Sequence, residues 1–168
     1  EAQSGQISYN FKTLIESGAP SKTKIPTDEA DALTWTEVDF DDSQWLSGTT
    51  AIGFDSSPKY KPLLGTDTRD AMRRINATAY IRIGFNLEDS QQYQKLKLSM
   101  KHDDGFIAYL NGQRVAEKNA PVSPTWNSSA TTNSGEADVN EFEVFDISKH
   151  LNKLKEGANI LAIHGLNG

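Results

Sequence analysis

The sequence predicts an all-β protein, a two-sheet antiparallel jelly-roll β-sandwich with one short helix near the C-terminus. Three observations point there. Apolar and polar residues alternate without a break from Ala79 to Leu87, the period of a strand with one buried face. Asn111-Gly112 separates two further strand-like runs, and that pair is favoured where both residues of a type I′ hairpin turn need positive φ. Short apolar runs recur between polar, turn-rich stretches, and only one segment has helical character.

In chain order, the first third is the least patterned; Ile7 to Ile15 and Trp35 to Phe40 read as strands around a polar loop. In the next run Ala79, Ile81, Ile83, Phe85 and Leu87 point to the core, with Tyr80, Arg82 and Asn86 on the other face. Lys95 to Met100 repeats the pattern, with Leu96, Leu98 and Met100 inward. Lys95 and Lys97, with Lys101 beyond, then form the wet face of that strand. Phe106 to Leu110 and Gln113 to Ala116 flank the Asn-Gly turn. Phe142 and Val144 alternate with Glu141 and Glu143, whereas Phe145 and Ile147 fall out of phase, as a bulge or a strand end would make them. Asp146 or Ser148 is placed to cap a short helix carrying Ile147, Leu151 and Leu154, with Gly157 to close it. Ile160 to Ile163 is apolar on both faces and reads as an interior strand. Two long polar stretches, Phe54 to Ile75 and Asn119 to Asn140, interrupt this order, and loops of that length tend to be functional or disordered.

Composition narrows the function. A chain of 168 residues suits one domain able to bury a core of its own, and residues 1–168 show neither a repeat nor a boundary. There is no cysteine, which fits a cytosolic protein and many bacterial exported ones alike. A net charge of −6 speaks against nucleic acid as a partner, and no apolar run is long enough for a membrane span. The start, EAQSGQ, has no signal-peptide character, so a secretion signal would lie upstream. No nucleophile elbow, P-loop or H-E-x-x-H occurs, and His102, His150 and His164 show no ligand spacing, so no enzyme is expected.

Several segments together carry a resemblance: FDDSQWLSGTTAIGF (40–54), LLGTD (63–67), AYIRIGF (79–85), DDGFIAYLNGQRVAEKNAP (103–121) and LKEGANILAIHGLN (154–167). As a set they resemble a galactose-binding-like jelly-roll module found in large exported bacterial proteins, and the sugar-binding jelly roll at the front of β-galactosidase-type enzymes. The resemblance covers most of Trp35 to Asn167. It implies a secreted or cell-surface, non-catalytic accessory module excised from a multidomain protein. Its partners would be a polysaccharide and the neighbouring catalytic or anchoring domains; the alternative is a ligand-free spacer or adhesion module. Such modules usually continue into one more strand after the AIHGLN stretch.

Candidate site residues follow. Trp126 sits in a polar loop, where an aromatic face can stack on a sugar ring or plug the loop onto the body; Tyr60 has the same two readings, and Asn127 stands beside Trp126. Arg69 and Arg74, with Arg73, offer guanidinium forks for acidic sugars or surface pairing with Asp67 and Asp70. Asp103-Asp104-Gly105 suits either a calcium ion or a turn in which one Asp accepts backbone N–H groups and Gly105 takes positive φ. It resembles the Asp-Asp pair of protective-antigen-type modules, which implies calcium-dependent sugar recognition. His102 is the neighbour that would join such a polar site.

Overall fold

The computed structural model describes residues 10–54, 61–134 and 141–168. Strands dominate them: β1 (Pro20–Lys24), β2 (Leu46–Thr49), β3 (Ile52–Gly53), β4 (Thr66–Asp67), β5 (Thr78–Leu87), β6 (Lys97–Met100), β7 (Gly105–Leu110), β8 (Gln113–Lys118), β9 (Glu143–Asp146) and β10 (Gly157–Leu166). Among the described residues helix is scarce, limited to one turn of α1 (Arg69–Met72) and short 3-10 segments. Six strands form an antiparallel sheet in the order β2-β1-β5-β10-β7-β8; β6 pairs antiparallel with β9, and β3 pairs parallel with β4.

The centre is the β5–β10 ladder, ten residues from Gly157 opposite Leu87 to Leu166 opposite Thr78. Directly paired residues share a face, so the sheet sorts its side chains into two sets. Ile81, Ile83, Phe106, Ala108, Leu161 and Ile163 lie on one face, which the β6–β9 ladder covers with Leu98, Phe145 and the adjoining Ile147. Tyr80, Ile107, Tyr109, Ile160 and Ala162 lie on the other, under Trp35, Trp45 and Trp126 from two irregular segments. Ile160 to Ile163 thus sits in an interior strand, as its double-sided apolar pattern requires.

Asn111 and Gly112 have φ of 49° and 84°, the left-handed pair of a type I′ turn. Asn111 also ties the hairpin to the start of β10: its Oδ1 accepts Ile160 N–H at 2.8 Å, and its amide donates to Asn159 Oδ1 at 2.8 Å and to Lys153 O at 2.7 Å. Gly48 and Gly65 mark a crossing too close for side chains, since a Cβ on either would come within about 2.2 Å of a threonine oxygen. That crossing is why the TTAIGF and LLGTD segments belong together. Lys95, Lys97 and Lys101 are exposed, the wet face expected of them.

Six expectations are corrected. Residues 10–15 form no strand, and 7–9 lie outside the described residues. Trp35 to Phe40 is not a strand but begins in a 3-10 turn, Thr34–Thr36, whose carbonyls are claimed by the sheet beneath. Tyr80 and Arg82 do not face water: they are 4% and 2% exposed, beneath that segment. In β9 the phase is set by Phe145 and Ile147, while Phe142 and Val144 are 56% and 55% exposed, so the out-of-phase pair is the core pair. The helical segment is a 3-10 helix, Ser148–Lys153, preceded by a turn in which Asp146 Oδ1 accepts Ser148 N–H at 2.9 Å. The long polar stretch after Phe54 also contains β4 and α1.

Candidate functional site

The aromatic face is built from Arg82 outward. The 3-10 turn at Thr34–Thr36 leaves carbonyls without helical partners. Arg82 donates through Nη1 to Trp35 O and to Glu37 O (2.8 Å), and through Nε to Asp42 Oδ2 (2.7 Å), while Gly112 N–H takes Thr36 O at 2.9 Å. The guanidinium lies 5.3 Å from the Phe40 ring centroid. So pinned, Trp35 stacks on Tyr80 with centroids 4.1 Å apart and meets Tyr109 and His164 edge-on. Burial, reinforced by the Glu29 and Asp31 carboxylates, raises the Tyr80 phenol well above its usual range. Burial also holds the His164 imidazole down at about 4, with Arg114 adding to the effect.

The second covering segment is latched at several points. Thr78 Oγ1 donates to Ser128 O at 2.8 Å, Ala130 N–H to Asn167 O at 3.0 Å, and Trp126 N–H to Glu29 Oε1 at 3.4 Å. Trp126 is half-buried and packs against the aromatic cluster. Asn127 is exposed, its Oδ1 held by Thr125 Oγ1 at 3.0 Å. Between the two segments lies a cavity of about 210 Å³ over Tyr80 and His164, walled by Glu29, Ala32, Leu33 and Pro124.

A larger groove, about 600 Å³, opens on the opposite face at the β1–β2 edge. Thr23 pairs with Ile81 and with Leu46, so these three share a face, and the groove occupies the place where the aliphatic core runs out beneath α1. Its walls are Thr23, Leu46, Lys61, Asp67, Arg69 and Asp70. The Thr23 hydroxyl is buried, with the residue 3% exposed, and finds no hydrogen-bond partner among the described residues. An orphaned hydroxyl costs roughly 1–3 kcal/mol unless something meets it.

The sequence candidates do not converge. Arg69 lies in the groove, with its guanidinium 5.9 Å from the Phe54 ring; Arg74 is exposed, outside it, in the left-handed region at φ 61°. Tyr60 lies outside the described residues. Asp103 is exposed. Asp104 is buried, and its two oxygens accept Ser134 N–H at 2.8 Å and Gly168 N–H at 2.6 Å. This is the turn arrangement, except that Asp104 (φ 64°) rather than Gly105 takes the left-handed conformation. Among the described residues no three His, Asp or Glu gather into a metal-sized group. His102 pairs with Glu143 at 3.0 Å, which Lys118 also holds at 3.0 Å, and these two partners depress the Glu143 carboxyl. Asp41 and Asp146 are lowered too, by hydrogen bonds from Ser43 and Ser148.

Sequence reasoning missed Glu29, Tyr80, His164 and Thr23 as wall residues. Only Tyr80 carried a signal, as a large aromatic on the off-phase side of the strongest strand.

No family model matches this chain, and no curated protein does. Solved structures do. A β-glucuronidase from Ruminococcus gnavus shares 15% identity at a TM-score of 0.55, over 95% of this chain and 23% of its own. A β-glucuronidase from an uncultured Clostridium gives 13% and 0.54, over 96% and 24%. A β-glycosidase from Bacteroides vulgatus gives 15% and 0.51, over 89% and 16%. At such identity the likeness is one of fold alone. The chain spans less than a quarter of the length of these glycosidases.

Proposed function

We propose that this chain is a non-catalytic, jelly-roll accessory module of a glycosidase-like exported protein, and that it contacts polysaccharide through the groove at the β1–β2 edge. The observation that carries the site is the buried, unpartnered Thr23 hydroxyl in the wall of a 600 Å³ groove. Around it, Asp67, Asp70, Lys61 and Arg69 supply acceptors and donors for sugar hydroxyls, and Leu46 supplies an apolar surface. The fold shared with a minor part of several glycosidases supports an accessory rather than a chemical role.

One observation favours the spacer reading instead: Trp126 and the other tryptophans are used to hold segments onto the sheet. Affinity electrophoresis through neutral and acidic polysaccharides, with calcium and with EDTA, separates the two. The module is expected to be retarded by one polymer class. Asp70→Ala and Thr23→Val should abolish the retardation and Trp126→Ala should preserve it; Thr23→Val removes only the orphan hydroxyl and leaves the fold at least as stable. Loss in EDTA would move the site to Asp103 and Asp104. Folded protein that no polymer retards would make the spacer reading the correct one.

A further inference from the structure

The cavity over Tyr80 and His164 has a chemistry of its own, separate from the groove. Thr78 Oγ1 donates its one proton to Ser128 O at 2.8 Å, so in its contact with His164 Nε2 at 3.2 Å it must accept. That fixes His164 as the Nε2–H tautomer and leaves Nδ1 as a lone-pair acceptor. The buried ring stays uncharged at neutral pH. Glu29 adds a carboxylate on the wall, and the Tyr80 phenol, kept protonated by burial and by neighbouring carboxylates, adds a hydroxyl. Leu33, 57% exposed, and Pro124 supply the apolar side.

Among the described residues the walls therefore offer acceptors facing rings and aliphatic carbon, with no cationic side chain. They suit a ligand rich in hydroxyl donors and carrying C–H faces. The volume, about 210 Å³, equals about seven waters at liquid density and falls below the ~300 Å³ at which drug-sized pockets begin. It has room for one ring. We propose that this cavity, at the seam between residues 25–45 and 119–134, is a second site that takes a single uncharged pyranose, with Glu29 accepting from its hydroxyls. Because Glu29 also holds Trp126 N–H at 3.4 Å, a sugar there would bear on both covering segments at once. This site does not depend on the groove.

The test is a ¹H–¹⁵N correlation titration of the whole chain with D-glucose, D-galactose, D-mannose and D-xylose in turn. One of the four should give saturable shifts at Leu33, Tyr80 and His164, and a change at the His164 ring nitrogen left free by Thr78. Glu29→Gln should weaken that binding about tenfold, as loss of one charge-assisted hydrogen bond does. Leu33→Trp, a substitution at an exposed position that fills the mouth, should abolish it without disturbing the fold. Silence at these residues with all four sugars overturns the proposal. So do shifts that both variants leave unchanged, and shifts confined to Thr23, Asp67 and Asp70, which would leave the groove as the single site.

Discussion

The two faces of the central sheet are both buried, yet by different means. One is aliphatic and is covered by another piece of sheet: Ile81, Ile83, Leu161 and Ile163 meet Leu98 and Phe145 from the β6–β9 ladder. The other is aromatic and is covered by irregular chain: Tyr80, Tyr109 and His164 meet Trp35, with Trp45 and Trp126 beyond. A ladder supplies its own backbone hydrogen bonds, so the aliphatic face needs only shape. Irregular chain arrives with unpaired carbonyls, which must be met from below. Arg82, Gly112 N–H and Thr78 do this from within the sheet. Polar groups on the aromatic face therefore hold down its cover, and the seam between the two pieces of cover leaves a cavity.

If that is so, the largest effect should come from Arg82. Arg82→Ala strands the Asp42 carboxylate and the carbonyls of Trp35 and Glu37, and should cost about 3–5 kcal/mol, the range for breaking a buried ion pair from one side. Asp42→Asn keeps an acceptor beside the guanidinium and both carbonyl contacts, and should cost less, about 1.5–3 kcal/mol. Urea unfolding gives both values, and limited proteolysis should show cleavage within 25–45 first in Arg82→Ala. Equal losses in the two variants, or cleavage first in the β6–β9 ladder, would break the proposed division between the faces.

The next effect depends on pH. His164 titrates at about 4 in the folded chain and near 6.5 when unfolded, so the unfolded state binds the extra proton between these values. Its contribution is fully present above pH 6.5 and is lost as pH falls through about 4, worth roughly 3 kcal/mol for a ring this buried. Asp41, Glu143 and Asp146, also lowered, lose their contributions in the same direction at acid pH, so the wild-type curve mixes them. The difference between wild type and His164→Gln isolates the histidine. A difference that stays flat from pH 7 to 4 would mean that the aromatic face admits a charged ring.

What could be seen in advance follows the same division. Alternation exposed the aliphatic face, because one face against an apolar layer is what period two encodes; β5, β6, the Asn111-Gly112 hairpin and the interior run at Ile160 were all legible. Of the aromatic face, Trp35 and Trp45 read in the sequence as packed against the sandwich, and they are buried; Tyr80 and Arg82 did not show, because they fall where alternation predicts solvent. Arg82 in a strand looks the same in sequence whether water or a 3-10 turn lies over it. Trp35 to Phe40 was misread for a related reason: its conformation is set by Arg82 and Gly112, distant in sequence, and nothing local records them. The site suffered most. Thr23 and Glu29 are unremarkable residues that gain meaning only from placement.

The smallest effect tests the aliphatic face where alternation gave the wrong phase. In β9 both Val144 and Phe145 are apolar, and alternation pairs Val144 with Phe142 and leaves Phe145 and Ile147 out of phase. Phe145 instead packs edge-on to Phe106 with centroids 5.2 Å apart, and Ile147 follows it into the core. The partner strand fixes this: Phe145 lies opposite buried Leu98 and Val144 opposite exposed Ser99. A one-residue slip would turn both choices over together. Phe145→Ala should cost about 2 kcal/mol, below the ~3–5 of a fully buried phenylalanine because Phe145 is only half-buried. Val144→Ala, at an exposed position, should stay within about 0.5 kcal/mol. The reverse order in urea midpoints would mean that β9 pairs in the other register, and that the aliphatic face is covered by Phe142 and Val144 after all.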